Sequence, residues 1–295
     1  MTVRGSVRPA AFRVLANGAI GSEIKNKFRE DDVLQAIIFD VDGTLAETEE
    51  IHRTAFNQAF AEAKLSWHWS ETQYRDLLKV AGGKERLEHF IDMIGGIGLG
   101  VSRVNRLIDD LHRRKTAIYA GMIASGAAGL RSGVAELIEG ARQENIRLAI
   151  ATTTSRPNVD TLLQNTLGET GADAFEVIAA GDSTPRKKPA PDVFLAALDG
   201  LKLCARDCLA IEDSGNGLRA ATDAGLLTLV TPSAYTRGDT FAGAARVVES
   251  LPELIEPGRP PAAERSMPAA LIGAIRHLHH TALAMAAAKR FTSMF

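Results

Sequence analysis

The stretch LQAIIFDVDGTLAETEEIH, residues 34–52, decides the fold that we predict for this chain. Its apolar run at 36–39 ends abruptly in Asp40, Val41 and Asp42. Such a run, followed by a turn, predicts a buried strand that brings two carboxylates to its carboxyl end. Open α/β sheets bind their ligands at that edge, so we expect the chemistry of this protein there.

The two carboxylates need compensation. Asp40 and Asp42 carry like charges one residue apart, and these repel each other unless a cation, a shared proton or water intervenes. Gly43, directly after them, lets the chain turn sharply. We therefore expect a metal ion at this strand end.

From residue 129 onward, short apolar runs alternate with helical patterns. We predict strands at about 147–152, 176–180, 207–212 and 226–230, with a weaker one at 245–248. The predicted helices lie between them, near 133–144, 157–167, 191–200 and 215–224. This alternation implies right-handed crossovers, and hence an α/β, Rossmann-like core with a mainly parallel sheet covered by helices.

The segment 48–126 has helical spacing throughout and interrupts the α/β pattern after the first strand. We call it the helical insertion and expect an all-helical cap domain over the carboxyl edge of the sheet. The predicted catalytic core therefore has two parts, 33–47 and 127–256. Residues 1–32 are expected to be a flexible extension, and 257–295 a linker followed by a C-terminal helix.

Composition is that of a globular protein with one sizeable core and a smaller domain: 295 residues, 45% hydrophobic and 24% charged. Residues 1–30 contain six basic and two acidic side chains, and residues 257–295 contain five basic and one acidic. Residues 31–256 therefore carry a net charge of about −10. That balance argues against a general nucleic-acid binder. There is no run of 18 apolar residues, so we expect no membrane partner.

Location and self-association depend on the two ends of the chain. We expect a cytoplasmic protein, or one in the chloroplast stroma if the arginine-containing, acid-free first 22 residues are a transit peptide. The C-terminal helix, near 268–290, is a candidate for docking or for weak self-association. Its apolar face is predicted to contain Leu271, Ile275, Leu278 and Ala282.

Four groups stand at the ends of successive predicted strands: Asp40 with Asp42, Thr152, Lys188, and Glu212 with Asp213. Each alone is most often a turn, cap or solvated residue, but together they indicate phosphoryl transfer. Mg²⁺ prefers oxygen ligands, which the carboxylates and the Asp42 backbone carbonyl supply. Asp40 is the predicted nucleophile and Asp42 the acid–base group, while Thr152 holds a phosphoryl oxygen and Lys188 neutralises charge.

This set resembles the four motifs of the haloacid dehalogenase (HAD) superfamily, in its phosphatase and phosphomutase branch, over about 33–250. Further segments are similar to the CbbY family of Calvin-cycle operons: FDVDGTLAETEEIHRTAFN, GGKER, HRRKT, ATTTSRPNV, AAGD with KKPAPD, AIEDSGNGLRAA, and Tyr235-Thr236-Arg237. The resemblance implies a Mg²⁺-dependent phosphatase whose partner is a small phosphorylated sugar. Its implied substrate is xylulose 1,5-bisphosphate, an inhibitor of Rubisco. The phosphatase would convert this bisphosphate to xylulose 5-phosphate.

Cations and hydrogen-bond donors in the helical insertion favour a substrate with a second phosphate. The residues expected to contact substrate are Glu49, Gly83, Lys84 and Thr153, and the resemblance to the phosphomutase branch adds His52, Lys115, Thr154 and Arg156. Arg86 and Arg113 are instead expected to be solvated, because helices commonly expose such side chains.

Three alternatives stay open. A β-phosphoglucomutase-like phosphomutase would use the same aspartyl-phosphate, so the motifs alone do not separate hydrolysis from return of the phosphoryl group. A phosphoglycolate phosphatase would have no need of Lys84 and Lys115. A non-catalytic scaffold or sensor of a carbon-fixation complex is a rival of another class.

Overall fold

The computed structural model describes residues 34–255 and 266–292. The predictions for the N-terminal extension and for the linker after residue 256 fall outside these residues. Within the described part, even the longest helices lack the apolar length required to cross a bilayer.

A six-stranded parallel sheet forms the centre of the fold, in the order β3-β2-β1-β4-β5-β6. The strands are β1 (Ala36–Phe39), β2 (Arg147–Ala151), β3 (Val177–Ala179), β4 (Cys208–Glu212), β5 (Leu227–Val230) and β6 (Arg246–Val247). All of the predicted strands are present, including the weaker one. The α/β fold predicted from the sequence is confirmed.

Strand register determines where the chemistry can be. Phe39, the last residue of β1, pairs with Ile150 of β2 and with Ile211 of β4. The residues that follow these three strands therefore emerge side by side at one edge of the sheet.

The sheet is covered on both faces, which is why its central strands are apolar throughout. The core helices are α5 (Val134–Gln143), α6 (Arg156–Leu167), α7 (Asp192–Leu201) and α8 (Gly215–Asp223). Large side chains such as Ile37 and Phe39 pack toward α5 and α6. The alternate positions Ala36 and Ile38 pack toward α7 and α8, together with several alanines of β2 and β4.

Four helices make up most of the helical insertion: α1 (Glu49–Glu62), α2 (Glu71–Leu77), α3 (Gly83–Met93) and α4 (Val101–Ala124). They enclose their own cluster of buried aromatic and aliphatic residues, built around Phe56, Phe60, Trp69, Tyr74 and Phe90. The insertion begins nine residues after β1 ends and returns to the core before α5. It is thus joined to the same end of the sheet that carries Asp40.

The C-terminal helix α9 (Met267–Thr292) docks on the core of its own chain. Leu271 and Ile275 are fully buried in the core cluster that also contains residues of α5. Gly140 of α5 permits this approach, because a side-chain carbon there would lie 2.6 Å from the Pro268 carbonyl oxygen. The predicted docking role is therefore fulfilled within the chain, whereas self-association stays a prediction.

Removing a buried side chain from α9 should destabilise the fold. We expect Leu271→Ala to lower the free energy of unfolding by about 2–5 kcal/mol, because it leaves a cavity between α9 and α5. Met285→Ala, at a position that is 61% exposed on the same helix, should change it by less than about 0.5 kcal/mol. Urea unfolding of both variants measures the difference, and equal stabilities would contradict the docking.

Candidate active site

Lys188 connects the carboxylates at the sheet edge. Its Nζ lies 2.6 Å from Asp40 Oδ1 and 2.6 Å from Glu212 Oε1, and it donates to the Ala151 carbonyl oxygen at 2.8 Å. The three ionisable side chains are buried. One cation thus joins the ends of β1, β2 and β4.

Asp40, Glu212 and Asp213 offer carboxylate oxygens that all lie within 4.8 Å of one another. Burial, only partly offset by Lys188, raises the pKa of Asp40 to about 7. Burial and the neighbouring Asp40 and Glu212 also raise the pKa of Asp213. These carboxylates outnumber their one lysine, so the donor set fits a hard divalent cation.

The carboxylates are not equivalent. Both oxygens of Glu212 have partners within the protein, since Oε1 binds Lys188 and Oε2 accepts the backbone N–H of Asp213 at 3.2 Å. Asp213 Oδ2 accepts the hydroxyl of Thr236 at 3.1 Å. A metal contact of Asp42 would have to use its backbone carbonyl, as predicted, because its side chain is occupied elsewhere.

The side chain of Asp42 is held from two sides. Its Oδ1 interacts with the hydroxyl of Thr48 and, at 3.0 Å, with Nε2 of His52, and its Oδ2 accepts the hydroxyl of Thr154. Burial raises the pKa of Asp42, but His52, Thr154 and Thr48 outweigh it and hold that pKa well below its usual range. His52 comes from α1 and Thr154 from the loop after β2, so the insertion and the core together orient this group.

Lys115 contacts His52 on the side of the imidazole ring that faces away from Asp42. Its Nζ contacts His52 Nδ1, and the imidazole stacks on the Tyr119 ring at 4.1 Å between centroids. Burial lowers the pKa of Lys115 to about 7. The lysine predicted to bind phosphate is therefore buried, and His52 lies between it and Asp42.

A cavity of about 340 Å³ lies between the sheet edge and the helical insertion. The predicted site residues that line it are Asp40, Asp42, Glu49, His52, Gly83, Lys115, Thr153, Thr154, Lys188 and Asp213. Thr152 and Glu212 are buried but are not among the lining residues. The hydroxyl of Thr152 instead accepts the backbone N–H of Thr154 at 3.2 Å and so supports the loop that does line the cavity.

Two predicted substrate contacts are not in the cavity. Lys84 is about half exposed and pairs with Asp109 of α4, and Arg156 is about half exposed and pairs with Asp160, one turn along α6. Each of these two cations is thus paired with a carboxylate on the surface of a helix, outside the cavity. This arrangement gives no support to the predicted substrate contacts of these residues.

Arg86 is buried and lines the cavity, so the expectation that it is solvated is wrong. Its guanidinium donates to the Leu77 carbonyl oxygen and to the Tyr74 hydroxyl, which in turn donates to Glu49. The signal in the sequence is its spacing, since Arg86 lies four residues before Phe90, on the buried side of α3. Arg113 is exposed, as expected, and pairs with Asp110.

The sequence interpretation assigned no site role to five polar residues of the cavity wall, although all but the first lie in segments that carry the family resemblance: Arg75, His112, Asn216, Arg219 and Tyr235. In the described ranges 34–255 and 266–292, no ion pair involves Arg75 or Arg219. The stretch AIEDSGNGLRAA contained a usable signal, because Asn216 and Arg219 lie in the first turns of α8, directly after Asp213.

Comparisons with known proteins agree with this geometry. The family model for haloacid dehalogenase-like hydrolases matches residues 34–225. The CbbY protein of Rhodobacter capsulatus is 52% identical over 229 residues, which are 75% of this chain and 99% of that protein. The plasmid-encoded CbbY of Cupriavidus necator is 48% identical over 255 residues, covering 85% and 98%.

Among solved structures, the chain is similar to a mutant of CbbY from Rhodobacter sphaeroides in complex with xylulose 1,5-bisphosphate. The TM-score is 0.71 and the identity 47%, over 75% of this chain and 96% of that one. The similarity therefore covers nearly the whole of these relatives.

The buried ammonium group of Lys115 should make stability depend on pH. The folded-state pKa is about 7 and the ordinary value is 10.5, so below pH 7 the folded protein carries the full cost of a buried charge. This cost fades as pH rises from 7 toward 10.5, because the folded state has then released a proton that the unfolded state keeps. We expect Lys115→Met to stabilise the protein more at pH 6 than at pH 9, by on the order of a few kcal/mol.

Urea unfolding at the two pH values measures this difference. Lys84→Met is the matched control, because it removes an ammonium group that is half exposed. Its effect should be small and the same at both pH values. An equal effect of Lys115→Met at pH 6 and pH 9 would show that this lysine is charged throughout the range.

Proposed function

The chain belongs to the haloacid dehalogenase-like hydrolase family, and on this premise we propose that it is a Mg²⁺-dependent phosphatase of xylulose 1,5-bisphosphate. The products are xylulose 5-phosphate and phosphate. One observation carries the proposal: the carboxylate cluster and a second group of cations line the same cavity. The similarity to a CbbY structure that contains this bisphosphate supports the choice of substrate.

Asp40 is the nucleophile in this proposal. It lies at the cavity floor, with one oxygen bound to Lys188. Attack on the phosphorus forms an aspartyl-phosphate and releases the sugar alkoxide, which divides one difficult step into two. Lys188 stays bound to Glu212 throughout, so its position does not depend on the charge of Asp40.

Asp42 acts as the acid–base group. It protonates the leaving oxygen and later removes a proton from the attacking water, which is help worth roughly 10²–10⁴-fold in rate. The free site holds it ionised, and a phosphate dianion that enters the cavity raises its pKa. The contacts with Thr48, His52 and Thr154 fix its direction.

Asp40 and Asp213, together with the backbone carbonyl of Asp42, would hold Mg²⁺, and Glu212 would complete the acidic environment. When bound, the ion supplies positive charge that offsets the phosphate and keeps these carboxylates ionised. Thr236 orients Asp213 for this contact.

The second phosphate is bound by cations that the first phosphate does not need. Arg75 and Arg219 line the cavity from α2 and α8, and Asn216 adds an amide. Neither arginine is compensated by a carboxylate within the described residues, so each is available to a phosphate. Arginine suits this task because its planar fork matches phosphate oxygens.

The helical insertion, proposed as a cap domain over 48–126, encloses the substrate. Tyr235 donates to Glu50 of α1, and Asn216 donates to the Lys79 carbonyl oxygen at 3.0 Å. These two contacts join the insertion to a loop and to the start of α8 in the core, beside the cavity. Closure of this kind excludes bulk water from the aspartyl-phosphate and brings the insertion's donors to the substrate.

The proposed biological role is the removal of a misfire product that inhibits Rubisco. The enzyme would work where carbon is fixed, in the cytoplasm or, with a transit peptide, in the chloroplast stroma. A phosphomutase and a phosphoglycolate phosphatase are the alternatives that a substrate screen decides, and the loss of turnover on replacing Asp40 excludes a scaffold or sensor.

Replacement of the nucleophile should abolish turnover and leave the fold intact. We expect Asp40→Asn to lower kcat by on the order of 10⁴-fold or more with unchanged circular dichroism, because the amide is not a nucleophile. Phosphate release with Mg²⁺ measures kcat, and EDTA should remove the activity of the unaltered protein. Full activity of Asp40→Asn would refute the nucleophile assignment.

The substrate screen compares xylulose 1,5-bisphosphate, ribulose 1,5-bisphosphate, fructose 1,6-bisphosphate, phosphoglycolate and β-glucose 1-phosphate. We expect the highest kcat/KM with xylulose 1,5-bisphosphate. Preference for phosphoglycolate would overturn the proposed substrate, and an isomerised sugar phosphate without free phosphate would identify a mutase.

The distal phosphate site is tested by Arg219→Ala. We expect a rise in KM for xylulose 1,5-bisphosphate of about 10- to 100-fold, from the loss of a charge-assisted contact. The KM for p-nitrophenyl phosphate, which has one phosphate, should change by less than about 2-fold. Lys84→Ala is the control outside the cavity and should leave both values unchanged, whereas equal effects of the two variants would contradict the assignment.

A further inference from the structure

Arg131 lies where the helical insertion returns to the core, between α4 and α5, and outside the proposed substrate cavity. Its backbone N–H donates to the Leu45 carbonyl oxygen at 2.8 Å, beside a bridge between Ala46 and Leu130. The return segment is thus attached to the turn that follows Asp42.

The guanidinium of Arg131 donates to three backbone carbonyl oxygens in two loops, those after β1 and β5. Nη1 donates to the carbonyl oxygens of Gly43 and, at 2.6 Å, of Thr231, and Nη2 donates to that of Pro232 at 2.8 Å. Nε faces Glu47 at 3.3 Å. The arginine side chain is only 14% exposed, so these acceptors replace water around most of its N–H groups.

Gly43 is confined from the other side. Its φ of +79° suits glycine, and a side-chain carbon there would overlap Asp213 Oδ2 and the Cβ of Ser233. A shift of the Gly43 carbonyl toward or away from Arg131 therefore moves the turn relative to Asp213. The same turn follows Asp42 directly.

The loop after β5 is held by the same guanidinium. Pro232 leads into Ser233, whose backbone N–H donates to the hydroxyl of Thr236 at 2.9 Å. The single proton of that hydroxyl is shared between Asp213 Oδ2, at 3.1 Å, and the backbone carbonyl oxygen of Asp213, at 2.7 Å. Arg131 thus contacts the two segments whose separation sets the distance between Asp42 and Asp213.

We propose that Arg131 is a positioning residue that fixes the Asp42 turn against the loop supporting Asp213. The inference rests on the proposed phosphatase function. A planar fork with several N–H donors can hold three carbonyl oxygens of two loops at once, which the single ammonium group of a lysine cannot. Glu47 is 46% exposed, and an ion pair so open to solvent adds little, so the carbonyl contacts are the ones that matter.

A second cavity of about 270 Å³ adjoins this side chain and is lined by Arg131, Thr44, Glu47, Ser132 and Glu249, among others. Truncation to alanine would enlarge it by the volume of the arginine side chain. A free guanidinium ion could then enter and contact the same carbonyl oxygens. This makes chemical rescue a specific test of the contacts.

The experiment compares Arg131→Ala, Arg131→Lys and the control Arg142→Ala, each well below its unfolding midpoint, with p-nitrophenyl phosphate and Mg²⁺. Arg142 is 74% exposed on α5 and pairs with Glu139, so its loss should leave kcat unchanged. We expect kcat of both Arg131 variants to fall about 10- to 100-fold, the effect of a misplacement of about 1 Å. KM should change by less than about 3-fold, because Arg131 does not line the substrate cavity.

Millimolar guanidinium chloride should restore part of the lost kcat in Arg131→Ala, and methylammonium chloride should not. Neither salt should activate the unaltered protein. An unchanged kcat per folded molecule in Arg131→Ala overturns the inference. A loss that guanidinium does not reverse also overturns it, because that result indicates rearranged loops and not a missing donor.

Hydrogen exchange separates this inference from the proposed function. Absence of any phosphatase activity in the unaltered protein would refute the proposed function. Hydrogen exchange at residues 43–46 and 231–233 would still show whether Arg131 holds these two loops. Faster exchange in both segments of Arg131→Ala supports the positioning role. Unchanged exchange there overturns it, whatever the substrate.

Discussion

The ammonium group of Lys188, shared between Asp40 and Glu212, is the interaction on which the rest of the site depends. Carboxylates this close in the interior would otherwise take up protons or move apart. Because Lys188 also binds the Ala151 carbonyl oxygen, it fixes the ends of three neighbouring strands relative to one another. Loss of Lys188 would leave the buried carboxylates without their cation, and such losses typically cost about 3–5 kcal/mol.

The helical insertion contributes charge of the opposite kind. Arg86 and Lys115 are buried cations there, and each is held by neutral or acidic groups of the insertion: Arg86 by Tyr74, which donates to Glu49, and Lys115 by His52. The cavity thus has an acidic floor and a largely basic roof. A divalent cation is attracted to the acidic floor, and an anionic substrate is attracted to the basic roof. A cavity with only one of these surfaces would repel either the cation or the substrate.

The sheet and its catalytic edge could be predicted because the signals are local. Apolar runs mark the strands, and Asp40, Thr152 and Asp213 follow directly after three of them. Lys84 and Arg86 show the limit: they are two residues apart on one helix, and the expected exposed arginine is buried while the expected substrate lysine is exposed. Their surroundings depend on how α3 packs against α2 and α4, which short-range patterns do not encode.

The position of Asp42 has a consequence for how such proteins can be recombined. Its lowered pKa depends on His52, which belongs to the insertion, and on Thr154, which belongs to the core. A hybrid built by exchanging insertions between relatives would therefore inherit altered proton chemistry along with altered ligand choice. In this architecture the two properties are coupled, because the imidazole that contacts Asp42 also lines the cavity.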